Sequence, residues 1–585
     1  MLQRSQRRFI ARNAILRRYT KRSMEQSCTQ CQTTFEITDN DLAFYDKISP
    51  IFNEKKYQIP TPTHCPQCRQ QRRYAIRNER SLYKRTCDLC QKDILTMYSE
   101  DKPYPVYCPD CWWSDKWHGE TFAQDFDFNR PFFEQFEEIQ KTVPRISAYL
   151  VNSENCDYCN CIGDCKRCYL SFGIVYSEDC LYGSAYYAKN CVDNLVTREC
   201  EYCYECTDSR KLYQCLYCQD CYNSNHLLFC YDMQGCSDCI ACSGLRNAKY
   251  HIENKSFTKE EYEKIKSELD LCDLKRREEM QKKLDTVKKT SIRHYMPSKN
   301  VQNVTGSHIY FSKNTTQSYF VDRCEDSAYC MQVVDLKDCY DNNYTEENEL
   351  CCEYLGMYGT RNTHFSTFSR NTDGVFHSEY CLNGTNLFGC AGMRNRDYCI
   401  LNKQYSKEEY AELVPKIIDH MKNPSTGSGG EYGEFFPIAL SPFAYNETVA
   451  QEYFPMTKEE VLAKGWKWRD QIDETPDVEK TIPAEKLPAS IKDTPDDILN
   501  WAIKCKETER PFRIIKQELE FYRKMNLPIP HFHPDVRHKR RLALRNPRKL
   551  WKRECGSCGE EIETTYSPER QEKIYCEKCY LAEVY

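Results

Sequence analysis

The segment RQQRRYAIRNERSLYKRTCDLCQKDILTMYSEDKPYPVYCPDC (residues 69–111) decides the fold, because the chain contains it twice. Laid without gaps on residues 537–579, it is identical at 19 of 43 positions. Identity of that extent indicates an internal duplication. The two copies share a run of arginines and lysines followed by four cysteines.

The cysteines of each copy form C-x2-C, a 17-residue gap and C-x2-C. Two such knuckles can bring four thiolates around a tetrahedral Zn(II), which predicts a zinc ribbon. A further set nearer the N-terminus has a 33-residue gap and predicts another ribbon. We therefore expect about three Zn(II) ions per chain. The predicted ligands are Cys28, Cys31, Cys65 and Cys68, then Cys87, Cys90, Cys108 and Cys111, and finally Cys555, Cys558, Cys576 and Cys579.

Length and composition predict several domains in a reducing compartment. A chain of 585 residues exceeds what one hydrophobic core usually serves. Its 39 cysteines would suit a secreted disulfide scaffold, but no apolar signal segment and no membrane-spanning run is recognisable. We therefore expect a cytoplasmic protein with no membrane partner, whose thiols are reduced or bound to metal.

Basic charge is concentrated in residues 1–22, 69–85 and 537–553, which together carry a net charge of +23 against −28 for the rest. Such segregation suits a polyanion-binding surface. If helical, the duplicated basic runs would each form one stripe able to meet successive phosphates. Alternatively, these arginines pair with acids of the same protein. The predicted nucleic-acid contacts are Arg69, Arg72, Arg73, Arg77, Arg80, Lys84, Arg537, Arg540, Arg541, Arg545, Arg548 and Lys552.

Residues 1–24 contain no acid and interleave arginines with apolar residues. Three interpretations stay open for this basic arm. It could be a nucleic-acid-binding arm, an organellar transit peptide, or an upstream extension with the true start at Met24.

Between Asn155 and Gly244 there are 17 cysteines, many of them spaced by 20 or 21 residues. A repeat of that length with short strand-like pieces predicts a parallel β-solenoid, in which small apolar cysteines stack as a buried ladder. Extra metal sites and redox chemistry are the alternatives. In a ferredoxin-type iron–sulfur run, three residues would separate the fourth cysteine from Cys206, but the next cysteine is Cys215.

A second duplication relates GLRNAKYHIENKSFTKEEY (244–262) to GMRNRDYCILNKQYSKEEY (392–410). Each copy holds a capping box, Thr258 with Glu261 and Ser406 with Glu409, which predicts a cap helix after each solenoid half. We expect the first helix to continue to about His294. Whether the two halves stack end to end or lie side by side stays open.

The predicted fold is mixed and mainly β, with three zinc ribbons flanking a duplicated parallel β-solenoid with cap helices. A helix is expected near 495–524. The predicted segments are 1–24 (basic arm), 25–70 (ribbon 1), 71–120 (basic segment and ribbon 2), 121–150 (connecting helix), 151–256 (cysteine-rich solenoid half 1), 257–295 (long helix), 300–404 (solenoid half 2), 405–433 (cap helix and linker), 434–534 (Pro- and aromatic-rich connector with helix) and 535–585 (basic segment and ribbon 3).

The stretches CTQCQTTFEIT (28–38) and CPQCRQQRR (65–73) resemble a zinc-ribbon domain found in many bacterial proteins. Together with SPFAYNETVA (441–450) and IYCEKCYLAEVY (574–585), nearly the whole chain resembles a cysteine-rich, multi-zinc family from uncultured bacteria with reduced gene sets. The resemblance implies several bound zinc ions, and it implies no activity.

Aromatic residues from Trp112 to Phe136 follow the second ribbon, and packing is favoured over stacking on bases. His531, His533 and His538 are expected to be surface groups, because four cysteines already fill the third zinc site.

No catalytic motif is present: the chain lacks a P-loop, a G-x-S-x-G elbow, an H-E-x-x-H helix and a dinucleotide fingerprint. Zinc held by four thiolates leaves no position for a reactive water. The leading hypothesis is a non-enzymatic nucleic-acid-binding protein, with RNA or the ribosome favoured. The alternatives are a protein-interaction scaffold built on the solenoid and a solenoid-based carbohydrate-active enzyme. No small-molecule substrate is identified, and whether the protein is an enzyme stays uncertain.

Overall fold

The computed structural model describes residues 23–424, 429–470, 478 and 480–584. Residues 1–22 of the basic arm, 425–428 of the linker and most of 471–479 lie outside the described residues. The α-helices are α1 (Asp39–Ile48), α2 (Pro66–Tyr74), α3 (Pro109–Trp113), α4 (Phe132–Thr142), α5 (Lys259–Glu268), α6 (Leu274–Thr290), α7 (Lys407–Lys422), α8 (Val449–Tyr453), α9 (Lys458–Ala463), α10 (Lys516–Met525), α11 (Pro534–Ala543) and α12 (Glu577–Val584). Short 3-10 helices occupy Gly119–Phe122, Ile438–Leu440, Tyr445–Glu447, Ala484–Lys486, Ile491–Asp493 and Asp496–Asn500.

The strands fall into two large sheets and several short pairs. They are β1 (Met24–Ser27), β2 (Thr34–Ile37), β3 (Ile51–Phe52), β4 (Lys55–Lys56), β5 (Tyr83–Thr86), β6 (Asp93–Thr96), β7 (Val106–Tyr107), β8 (Arg145–Ile146), β9 (Leu150–Val151), β10 (Asn160–Gly163), β11 (Phe172–Val175), β12 (Glu178–Leu181), β13 (Ser184–Tyr186), β14 (Lys189–Val192), β15 (Leu195–Arg198), β16 (Arg210–Tyr213), β17 (Tyr222–Leu228), β18 (Ser237–Ile240), β19 (Lys249–Ile252), β20 (Lys255–Ser256), β21 (Arg293–His294), β22 (Ser298–Lys299), β23 (Gln302–Tyr310), β24 (Lys313–Asp322), β25 (Val334–Lys337), β26 (Glu346–Glu349), β27 (Cys352–Leu355), β28 (Arg361–Thr367), β29 (Asp373–Phe376), β30 (Thr385–Phe388), β31 (Asp397–Ile400), β32 (Lys403–Gln404), β33 (Lys480–Pro483), β34 (Trp501–Lys504), β35 (Pro511–Phe512), β36 (Trp551–Glu554), β37 (Glu561–Thr564) and β38 (Ile574–Tyr575).

The first large sheet has ten strands, ordered β20-β19-β18-β17-β16-β15-β13-β11-β10-β9. Apart from the last hairpin, neighbours are parallel, and the usual partner of a residue lies 12 positions further along the chain, as for Leu212 and Ser224. The second sheet has eleven strands between β22 and β32 with the same step, as for Leu336 and Asn348. We call residues 150–256 the first half and residues 298–404 the second half.

Left-handed backbone residues (positive φ) recur every third position through most of both halves. This conformation costs free energy for most side chains, but the N–H of each such residue can donate to the preceding 12-residue rung. Tyr217 N–H, for example, donates to Tyr204 O at 2.9 Å. Each rung therefore has four corners, three residues apart.

The predicted repeat of 20–21 residues is wrong, because the sheets advance by 12 residues. Sixteen of the 17 cysteines in the first half directly follow a left-handed residue and point inward. Inward positions recur every three residues, so two cysteines 21 residues apart are separated by seven corners, which is not a whole number of rungs. The spacing of the cysteines therefore does not reveal that one rung has four corners.

The prediction that these cysteines are buried is confirmed for nearly all of them. Cys218 is 1% exposed, and its sulfur lies 3.4 Å from Leu216 O and 3.6 Å from Leu227 O. The thiols thus act as small apolar groups with weak backbone hydrogen bonds.

Both capping boxes are formed, and α5 and α7 begin directly after Thr258 and Ser406. The single long helix expected up to His294 is wrong. The chain breaks between α5 and α6 at residues 269–273, where Asp273 caps the second helix. The helix expected near 495–524 is also wrong over most of its length, because β34 and β35 precede α10.

The two halves lie side by side, since they share no sheet among the described residues. Arg210 of the first half is ion-paired with Asp322 of the second. A cavity of about 360 Å³ separates them elsewhere, lined by aromatic side chains such as Tyr186, Tyr310 and Tyr344. Within the described residues, no helix combines the length and apolarity that crossing a bilayer would require.

Candidate metal centres and the arginine helices

All three predicted cysteine sets come together on the same local scaffold. A β-hairpin (β1–β2, β5–β6 or β36–β37) carries the first C-x2-C at its turn. The second C-x2-C lies at the start of α2, α3 or α12. In each set the four sulfurs lie within 4.8 Å of one another, so each set could hold a metal ion.

Each set contains a sulfur–sulfur distance of 3.8 Å, as between Cys31 and Cys65. A tetrahedral ion with metal–sulfur bonds of about 2.3 Å has sulfur–sulfur edges of about 3.8 Å. The donor set and its dimensions therefore fit Zn(II). Four protein ligands would also fill the coordination shell.

Backbone N–H groups point at the cysteine sulfurs. Cys108 N–H donates to Cys87 Sγ at 3.2 Å, and Cys576 N–H donates to Cys555 Sγ at 3.3 Å. Against the opposing effect of burial, such backbone donors lower the pKa of Cys87 to about 7 and that of Cys555 to about 6. They favour the thiolate, which is the form that binds metal.

The expectation that the duplicated arginines form one solvent-facing stripe is wrong. In the first copy α2 ends at Tyr74, so Arg77, Arg80 and Lys84 do not continue its face. The helical arginines of this copy, Arg69, Arg72 and Arg73, are buried, and each pairs with a carboxylate of the second half. They are buried because acidic side chains of that half pair with them. The net charge of each sequence segment did not show where those acids would lie in the fold.

Asp341 receives two arginines of α2 and has a fully buried side chain. Arg69 Nε lies 2.8 Å and Arg73 Nη2 lies 3.1 Å from its carboxylate oxygens. Arg72 reaches Glu353 at 2.9 Å and Glu434 at 2.6 Å. The ion pairs with Asp341 and Glu353 join α2 to the second half, and Glu434 lies after it in the chain.

The second copy repeats this arrangement on the first half. Asp193, also fully buried, is paired with Arg537 and, at 2.8 Å, with Arg541 Nη1. Arg545 Nε lies 3.0 Å from Asp208 Oδ2. We call α2 and α11 the arginine helices, because both use arginines to bind a sheet half.

The contacts of the two arginine helices are related by the internal duplication. Asp341 lies 148 positions after Asp193, the offset that also separates the two cap-helix repeats at Gly244 and Gly392. The docking is crossed: the N-terminal helix α2 binds the second half, and the C-terminal helix α11 binds the first.

The other predicted contact residues lie in varied surroundings. Arg77 is buried beside Glu79, and Arg80 pairs with Asp535 at 2.9 Å. Arg548 is half-buried and donates to Gln332 at 2.6 Å. The exposed members of the set are Lys84, Arg540 and Lys552. Arg540, the counterpart of the buried Arg72, has 53% of its side chain exposed next to Glu507.

The sequence reasoning missed the acidic partners. Asp193, Glu205, Asp341 and Glu353 carried no recognisable motif on their own. A usable signal was nevertheless present, since the two pairs recur at the 148-residue offset of the cap repeats. The acids recur at equivalent positions of the two halves, and the arginines recur at equivalent positions of the two basic segments. This double recurrence indicates that the acids and the arginines are paired.

Packing is confirmed for most aromatics after the second ribbon. Trp112, Phe132 and Phe136 are at most 1% exposed and belong to the largest hydrophobic core. The histidines expected at the surface are instead partly buried: His533 accepts from Asp535 N–H at the start of α11, and His538 contacts Glu452.

Comparison with known proteins gives no family. No protein-family model matches the chain, and no curated protein matches it. One similar solved structure, a chain assigned as an acetyltransferase from Desulfovibrio desulfuricans G20, has 9% sequence identity and a TM-score of 0.09. The match covers 41% of this chain and 58% of that chain, and at this TM-score it carries no argument.

Proposed function

We propose that the protein is a zinc-binding scaffold, in which two modules built on four-cysteine sets lock together the halves of a duplicated β-solenoid. The N-terminal module comprises residues 24–113, and the C-terminal module comprises residues 534–584. In this proposal the three metal ions fold the modules, and the arginine helices fasten the modules to the body.

Zinc is supported by the donor chemistry. Four thiolates at tetrahedral spacing suit a borderline-soft ion without redox chemistry, and the closed shell points to a structural role. Metal binding would supply much of the folding free energy of such short hairpins, because small ribbons have little core.

The β-solenoid in this proposal is supported by the register of the strand pairing. Parallel bridges at 12-residue offsets occur outside the main sheets as well, for example between Thr207 and Gln219 and between Arg370 and Leu382. Pairing on several faces of each rung, with four corners per rung, is the geometry of a coil that stacks on itself.

One observation carries the scaffold proposal: Asp193 and Asp341, at equivalent positions of the two halves, each bind two arginines with no exposure of the carboxylate. Buried charges are costly unless they are paired, so these arginines are committed to the body. Binding phosphates through them would require breaking four buried ion pairs.

RNA or ribosome association, which the sequence favours, would have to use other groups. Lys539, Arg540, Lys549 and Lys552 are exposed basic residues in or shortly after the C-terminal arginine helix. Their contacts with a nucleic acid stay a prediction.

The test measures nucleic-acid affinity and stability on the same zinc-loaded full-length chain. Variant A replaces Lys539, Arg540, Lys549 and Lys552 by alanine. Variant B combines Asp193→Asn with Asp341→Asn. Affinity for labelled single-stranded and duplex RNA is measured by fluorescence anisotropy across a salt series, and stability by thermal unfolding and trypsin digestion.

For a scaffold, we expect weak RNA binding by the wild type, an unchanged stability of variant A and rapid proteolysis of variant B. Tight, salt-dependent RNA binding that variant A abolishes, together with a variant B as stable as the wild type, would overturn the proposal.

A further inference from the structure

Three potential metal ligands meet in the cleft between the halves, away from the cysteine sets. Asp208 and Asp220 belong to the first half and His308 to the second. His308 Nε2 lies 2.8 Å from Asp220 Oδ1, and one ligand atom from each of the three residues lies within 4.8 Å of the others. Asp208 and His308 line the cavity of about 360 Å³ between the halves, and all three residues line an adjoining cavity.

Asp208 gives independent evidence that this group is built for a ligand. The residue is 8% exposed, and its Oδ2 accepts from Arg545 Nε at 3.0 Å. Its Oδ1 is buried and has no hydrogen-bond partner among the described residues. A buried carboxylate oxygen without a hydrogen-bond partner costs free energy, so we expect a ligand or an ion to contact this atom.

The fold itself does not require these three residues. The equivalent positions in the other half of the duplication carry Gly356 for Asp208 and Phe368 for Asp220, 148 residues later. By sheet register, His308 corresponds to Cys161, since each precedes the first residue that pairs with the opening strand of its half. The 12-residue register of the duplicated sheets therefore does not depend on an aspartate or a histidine at these sites.

We propose that Asp208, Asp220 and His308 bind a divalent cation of the Mn or Fe class, at a fourth metal site that goes beyond the scaffold function. Two carboxylate oxygens and one imidazole nitrogen are ligands that these ions share. Neighbouring ligands of an octahedral ion with bonds of about 2.1 Å lie about 3.0 Å apart, close to the His308–Asp220 distance. Three protein ligands leave positions open toward the cleft, unlike the closed four-thiolate shells.

The surroundings provide the supporting hydrogen bonds that metal ligands usually have. Ser307 Oγ lies 2.9 Å from His308 Nδ1, so it can fix the ring with Nε2 turned to the ion. His308 also stacks on Phe320, with ring centroids 4.4 Å apart. Arg545 orients Asp208 through Oδ2 and leaves Oδ1 for the ion.

The competing interpretation is an ordinary ion pair that joins the halves through Asp220 and His308. That interpretation needs no contribution from Asp208, whose carboxylate is paired with Arg545. The two interpretations therefore differ in what Asp208 does to cation binding.

The experiment titrates MnCl2 into the zinc-loaded full-length chain and follows free Mn2+ by electron paramagnetic resonance. Mn2+ prefers oxygen and nitrogen ligands and competes poorly for thiolate sites. Water-proton relaxation of the complex reports whether open positions hold water. Asp208→Asn and His308→Gln are the test variants, and Asp285→Asn, an exposed carboxylate on the rim of the adjoining cavity, is the control. CoCl2 is titrated in parallel.

We expect one Mn2+ per chain, at least about tenfold weaker binding in each test variant and unchanged binding in the control. Retention of three zinc ions and of the circular dichroism spectrum shows that a variant is folded, and His308→Gln serves if Asp208→Asn fails this check. The proposal is overturned if neither Mn2+ nor Co2+ binds stoichiometrically, or if folded test variants bind as the wild type does.

Discussion

Replacing Asp341 by asparagine should detach the arginine helix α2 from the second half. The carboxylate has 0% side-chain exposure and binds Arg69 and Arg73, which are 2% and 0% exposed at their side chains. After the substitution Arg73 keeps Glu353, but Arg69 keeps no carboxylate and retains only the carbonyl His64 O and the face of the Tyr329 ring. A buried charge left without its partner costs about 3–5 kcal/mol.

Asp335→Asn is the matched control for this substitution. Asp335 pairs with Arg323 at 2.6 Å in the same half, but its side chain is 42% exposed, and an exposed pair contributes only about 0.2–1 kcal/mol. Both aspartates have left-handed backbone, with φ of 61° for Asp341 and 52° for Asp335. Asparagine tolerates that conformation, so backbone strain does not separate the two variants.

Hydrogen exchange followed by mass spectrometry measures the effect where it occurs. A cost of about 3–5 kcal/mol should speed exchange of the amides in 66–74 by roughly two to three and a half orders of magnitude, and Asp335→Asn should speed it less than about fivefold. Equal exchange of these amides in the two variants would refute the idea that buried ion pairs fasten α2.

Metal analysis should give about three zinc ions per chain, falling to about two in Cys558→Ser and staying at three in the interior variant Cys218→Ser; loss of zinc from the interior variant would contradict a purely structural cysteine ladder. A thiol reagent applied to the native protein should modify the partly exposed Cys156 well before Cys203 or Cys218, as peptide mass spectrometry would show. Burial lowers the pKa of His377 to about 3, and neither ring nitrogen has a partner among the described residues, so below pH 6.5 the unfolded chain binds a proton that the folded chain cannot. Stability should therefore fall by about 1–2 kcal/mol between pH 6.5 and pH 5 from this group, and denaturant unfolding of His377→Phe should show the pH dependence reduced by that amount.

The sequence predicted the parts of the fold that depend on local chemistry. Cysteine spacing identified the ligand sets, and capping boxes located the starts of α5 and α7. These signals work because each involves atoms a few residues apart. The inward direction of the cysteines could also be predicted locally, because their side chains are small and apolar.

What the sequence did not reveal depends on partners distant along the chain. The rung length was misjudged, because a corner period of three residues divides both 12 and 21. The exposure of the arginines was misjudged, because Asp193 lies 344 positions before Arg537. The net charge of a segment gives an upper limit to the charge that its surface could carry. It does not show which charged side chains form ion pairs in the interior of the fold.

Crossed docking sets an order of events during synthesis. Asp193 leaves the ribosome 344 residues before Arg537, an interval of roughly 20–70 s at about 5–20 residues per second. During that time the nascent first half carries a carboxylate whose cationic partners have not yet been translated. In contrast, α2 has already been translated when Asp341 leaves the ribosome, so its arginines are available to the second half. Docking of α11 on the first half therefore waits until Arg537 and Arg541 have been translated.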